Sequence, residues 1–153
     1  MIKYVNTLVS FSEVPDEISL CIEISNCPCH CKNCHSPYLA EDIGNILNLQ
    51  ALTSLIDSNS GITCVCIMGG DADSSKVDDI AQDIKEYYPK LKVAWYSGKQ
   101  ELSKDISLEF FDFIKLGPYI EELGPLNSKT TNQRFYKVEN NKLIDITYKF
   151  QKL

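Results

Sequence analysis

Residues 18–36 read ISLCIEISNCPCHCKNCHS, and the rest of the chain is best understood outward from them. Ile18, Leu20, Ile22 and Ile24 alternate with Ser19, Cys21, Glu23 and Ser25. That period of two marks a β-strand. The strand runs directly into a loop where Cys27, Cys31 and Cys34 are spaced C-x3-C-x2-C. Pro28 lacks an N–H and limits regular structure within the loop. Three thiolates on one short loop can hold three irons of a 4Fe-4S cluster. The fourth iron then keeps an open position, as a catalytic metal site does. Two other readings use part of the same loop. A structural zinc site, in a binding module without catalysis, would add His30 or His35 to the cysteines. A dithiol oxidoreductase would use Cys31 and Cys34 alone. The first lacks a second C-x2-C knuckle, and the second leaves Cys27 without a role.

Downstream, strand and helix patterns alternate. Leu49, Leu52, Leu55 and Ile56 recur at helical spacing behind a capping residue, Asn48. ITCVCIM, residues 62–68, is apolar almost throughout, as a strand covered on both faces is. Gly69-Gly70-Asp71 follows it. Val77, Ile80, Ala81, Ile84 and Tyr87 predict a second amphipathic helix that stops near Pro89. LKVAWYSG, residues 91–98, predicts a third strand, Leu102 to Phe110 a shorter helix, and FIKLG, residues 113–117, a fourth strand. RFYKVE and KLIDITYKF around Asn140-Asn141 predict a terminal hairpin. This order implies parallel β/α units with right-handed crossovers. In such sheets ligands bind beyond the carboxyl ends of the strands. The cysteine loop, Gly69-Gly70-Asp71, Tyr96-Ser97-Gly98 and Gly117-Pro118 all fall at such ends, so one site is expected there.

At 153 residues the chain is expected to be one domain, residues 1–153, with a real core. A net charge of -6 argues against a nucleic-acid-binding surface. No segment approaches the roughly 20 apolar residues of a membrane helix. The first residues lack a long apolar leader core and read as mature protein. Seven cysteines cannot all pair, and four lie within residues 27–34. A reducing, cytoplasmic setting is expected. Cys21, Cys64 and Cys66 sit within strands and read as small core hydrophobes. Cys29 falls outside the ligand spacing and reads as a spare thiol pointing elsewhere.

A C-x3-C-x2-C loop after the first barrel-type strand, followed one βα unit later by Gly69-Gly70-Asp71, resembles the radical S-adenosylmethionine superfamily. The resemblance implies a short, incomplete (open) β/α barrel with a mainly parallel sheet and a C-terminal hairpin. It implies that Cys27, Cys31 and Cys34 bind the 4Fe-4S cluster. It also implies that S-adenosyl-L-methionine is held by Gly69 and Gly70, with Asp71 in support, and by Asn33, His35 and Ser97. In that family the reduced cluster cleaves the cofactor to methionine and a 5′-deoxyadenosyl radical, which abstracts a hydrogen atom. Asn33 stands where many members carry an aromatic; activating proteins of the anaerobic reductase type commonly lack that aromatic. Thr130 to Arg134, TTNQR, and the short chain are similar to those activating proteins. The stretch Asp-Gly-Pro-Gly, common before the first strand, is missing. The implied partner is a glycyl radical enzyme, first of all anaerobic ribonucleoside-triphosphate reductase, with a flavodoxin- or ferredoxin-like electron donor. Another glycyl radical enzyme or a small metabolite is the alternative target.

Overall fold

The computed structural model describes residues 2–32, Cys34 and residues 36–151. Ten elements follow in order: β1 (Lys3–Ser10), β2 (Ser19–Ile24), β3 (Asn45–Ile46), α1 (Leu49–Asp57), β4 (Cys64–Met68), α2 (Ser74–Tyr87), β5 (Lys92–Tyr96), β6 (Phe113–Leu116), β7 (Arg134–Glu139) and β8 (Lys142–Asp145). All eight strands form one sheet in the order β3-β1-β2-β4-β5-β6-β7-β8. β2, β4, β5 and β6 are parallel neighbours. Every other pairing is antiparallel.

This corrects the expected open β/α barrel. The molecule is a mixed, β-rich sheet with two α-helices among the described residues, and parallel pairing is confined to its centre. The first reason is β1, whose KYVNTLVS has no strict alternation. It pairs antiparallel with β2 and carries the sheet outward. The second reason lies between β5 and β6. The helix expected over Leu102 to Phe110 is a single 3-10 turn, Leu108–Phe110. Polar side chains there bond locally or to α2 instead of leaving the backbone to helix formation. The Ser103 hydroxyl accepts from the Asp105 N–H at 3.2 Å, and Asp78 accepts from the Ser107 N–H at 2.7 Å. The terminal hairpin forms as expected and extends the sheet through β7. Asn140 and Asn141 supply its left-handed turn, with φ of 53° and 58°. The second strand stops at Asp145, where a 3-10 turn over Thr147–Phe150 replaces the rest of the expected run.

The two helices lie on one face of the sheet. The Asn48 side chain caps α1 by accepting from the Ala51 N–H at 2.9 Å. α1 buries Leu52 and Ile56; α2 buries Val77, Ile80, Ala81 and Ile84 at i, i+3, i+4, i+7 spacing. They close on Leu20, Ile22, Ile24, Val65, Ile67, Val93, Trp95 and Ile114, the main core. The opposite face carries a smaller core of Cys21, Cys64, Cys66, Ala94, Phe113 and Phe135, covered by Val14 and Ile146. Cys21, Cys64 and Cys66 are fully buried, as their place in strands implied. No helix among the described residues is long and apolar enough to cross a membrane.

Candidate functional site

The carboxyl ends of β2, β4, β5 and β6 open into one cavity of about 420 Å³. Cys27, Cys31 and Cys34 line it, together with Gly69, Asp71 and Ser97. The loop that brings the cysteines there is shaped by two left-handed residues, Asn26 at φ 60° and His30 at φ 46°. Asn and His are among the non-glycine residues that most readily adopt this conformation. A returning segment then holds the loop. The Asn26 N–H donates to the Glu41 carbonyl at 2.9 Å and the Cys27 N–H to the Leu39 carbonyl at 2.7 Å. The Tyr38 hydroxyl, on the 3-10 turn Pro37–Ala40, donates to the Glu23 carboxylate at 2.7 Å and ties that turn to the end of β2. The Ser36 N–H lies 3.5 Å from the Cys34 sulfur. Backbone donors on a thiolate of this kind are one lever by which proteins tune iron–sulfur centres.

The other sequence-predicted residues fall unevenly. Gly69 lines the cavity, at φ 109°, and a Cβ there would stand 3.0 Å from the Ile24 carbonyl. Its own carbonyl accepts from the Trp95 indole N–H at 2.7 Å. Gly70 is turned toward α2 rather than the cavity: a Cβ would stand 2.4 Å from Val77 Cγ2. Its bareness lets the helix close on the end of β4. Asp71 is buried, with one carboxylate oxygen 2.5 Å from the Ser97 hydroxyl and the other 2.8 Å from the Gly98 N–H. Asp71 and Ser97 thus bond first to each other and join the ends of β4 and β5. Asn33 and His35 lie outside the described residues. Thr131 and Gln133, from the TTNQR segment, are buried; Gln133 lines the cavity and its side-chain amide donates to the Gly117 carbonyl at 3.4 Å. Arg134 is half exposed and 3.6 Å from Asp145, across the hairpin.

Two cavity residues escaped the sequence reading. Lys115, on β6, is only 8% exposed and its ammonium sits at the cavity wall. It donates to the Ser97 carbonyl at 3.2 Å and the Gly117 carbonyl at 2.8 Å, two of its three N–H bonds. No carboxylate among the described residues pairs with it at ion-pair distance. Burial lowers its pKa to about 8, partly offset by Asp71 and the cysteines. The signal was a lone charge inside an apolar strand, FIKLG. Cys29, the fourth cysteine of the loop, also lines the cavity instead of pointing away. Burial, then its neighbours Cys27 and Asp71, push its thiol up to about 12.

The donor set suits an iron–sulfur cluster. Three half-buried thiols on one loop line a shared cavity, and the Lys115 ammonium, with no carboxylate at ion-pair distance among the described residues, stands on its wall. Among the described residues, no three His, Cys, Asp or Glu side chains converge tightly enough to hold a single metal ion. A cluster asks for less convergence, because each thiolate meets a different iron. Comparison of the chain with protein-family models, with curated proteins and with solved structures finds no match.

Proposed function

We propose that this chain is a radical S-adenosylmethionine activating enzyme that generates a glycyl radical on a partner protein, first of all anaerobic ribonucleoside-triphosphate reductase. The observation that carries the reading is the meeting of four features in one cavity: the C-x3-C-x2-C thiols, the Gly69 turn, the Asp71–Ser97 tie and the unpaired Lys115 ammonium. Bound there, a 4Fe-4S cluster and S-adenosylmethionine would supply one-electron cleavage of a sulfonium and, from it, hydrogen abstraction. The protein's part is holding and orientation. Cys27, Cys31 and Cys34 would ligate three irons. Lys115 would receive the cofactor's carboxylate, because a buried cation without a counter-ion favours an anion strongly. Gly69 lets the backbone approach the ligand closely. A flavodoxin- or ferredoxin-like protein would deliver the electron, and the thiol-rich site fits a reducing cytoplasm.

Anaerobic reconstitution tests this. The protein should turn brown, hold about four irons per chain as one 4Fe-4S cluster requires, and release 5′-deoxyadenosine when given reductant and S-adenosylmethionine. Cys31→Ala should abolish that release while thermal unfolding stays within about 0.5 kcal/mol of the parent, the usual range for changes outside the core. A colourless zinc-loaded protein, or full cleavage by Cys31→Ala, would overturn the proposal.

A further inference from the structure

Three of the four loop cysteines are absorbed by the proposed cluster, and the fourth has a place of its own. The Cys29 thiol donates to the Asp71 carboxylate at 3.8 Å. That carboxylate is already fixed by the Ser97 hydroxyl at 2.5 Å and the Gly98 N–H at 2.8 Å. Across the same contact lies Gly98, where a Cβ would stand 2.7 Å from the Cys29 sulfur and 3.3 Å from its Cβ. The backbone of Gly98 is not left-handed, so its conformation does not demand glycine. What demands it is space, and the sulfur of Cys29 fills that space.

We infer that Cys29 is the docking thiol of the cysteine loop. It is a positioning residue, not a ligand. It seats the loop on the β5 turn through Gly98 and Asp71, and so fixes the ligand thiols relative to Gly69 and Lys115 on the strand ends. The consequence for the reaction rests on the function proposed above; the seating itself is a property of the folded chain. A released loop would keep its three ligands but hold them less steadily against the opposite wall. The loss should therefore fall on cofactor binding more than on turnover.

Gly98→Ala, Cys29→Ala, the double variant and Cys29→Ser test this in two stages. In the metal-free protein, Gly98→Ala should lower the unfolding midpoint clearly in the parent and only slightly in the Cys29→Ala background, where the obstructing sulfur is gone. In the reconstituted protein, Cys29→Ala should load the same iron as the parent and raise KM for S-adenosylmethionine about tenfold, because the freed loop must be re-ordered when the cofactor binds. Its kcat should stay within about twofold, and Cys29→Ser should recover most of the change. Equal effects of Gly98→Ala in both backgrounds would overturn the seating. Lost iron in Cys29→Ala would make Cys29 a ligand and overturn the positioning role, as would an unchanged KM. Coupling in the metal-free protein, with no cluster formed in the parent, would leave the seating standing and remove the proposed function instead.

Discussion

On the side of β2, β4, β5 and β6 that meets the helices, every buried strand residue is apolar, from Leu20, Ile22 and Ile24 across to Ile114 and Leu116. On the reverse side the same strands carry Ser19, Cys21 and Glu23, then Cys64, Cys66 and Met68, then Tyr96, then Lys115. The helix side needs only volume and shape, and it holds the layers together. The reverse side holds thiols, a carboxylate, a phenol and an ammonium at a cost in burial, and that carboxylate, phenol and ammonium lie toward the strand ends. Glu23, Met68, Tyr96 and Lys115 pair in register across four strands, forming one row beside the cavity. Within the reverse side there is a further gradient, from packed thiols near the strand starts to the side chains that border the cavity at the strand ends. The Tyr96 hydroxyl, buried and raised well above its ordinary pKa by that burial, donates to the Glu13 carbonyl and helps close the packed part.

The sharpest way to break this contrast is on the helix side. Trp95→Ala should cost about 3–5 kcal/mol of stability, because it removes a fully buried ring and the indole donor to Gly69. Chemical denaturation reads it; a loss below about 1 kcal/mol would mean that this side is not the main core. Lys115 gives the next effect. Its folded pKa, about 8, lies below the 10.5 of an ordinary lysine, so between those values the unfolded chain holds the proton more tightly. Stability contributed through this group therefore rises with pH across that window and is flat below it. The parent should gain on the order of 3 kcal/mol relative to Lys115→Met between pH 8 and 10.5. Denaturation of both metal-free proteins across that range measures the difference; parallel curves would show that the ammonium is not buried as described. The smallest effect belongs to the packed thiols. Cys64→Ala should cost about 1 kcal/mol and, on the function proposed above, leave S-adenosylmethionine cleavage intact. A loss of cleavage would extend the proposed site down the reverse face to the strand starts.

Much of this was legible in the sequence, and the misses have physical causes. The alternation in residues 18–24 and the apolar run before Gly69 are short-range signals, and they locate β2 and β4 well. Asn48 and the spacing of Val77 to Ile84 locate the helices. The barrel failed on two local matters that periodicity does not weigh. Leu102, Ile106 and Phe110 recur at helical spacing and do pack on the main core. Their interleaved serines and aspartates, however, bond side chain to backbone and to α2, so the chain crosses without a helix. β1 alternates poorly because much of it is only half covered. At the site, the cysteine spacing exposed three of its members. Cys29 and Lys115 depend on contacts between residues 42 or more apart in the first case and on burial of a charge in the second. Spacing along the chain carries neither.

Trp95 is the chain's single tryptophan, and its indole grips the Gly69 carbonyl at the wall of the cavity. Nature has thereby wired one fluorophore to the floor of the site. Whatever lodges there and nudges that glycine will alter the emission, so occupancy can be followed by light without a label and without turnover.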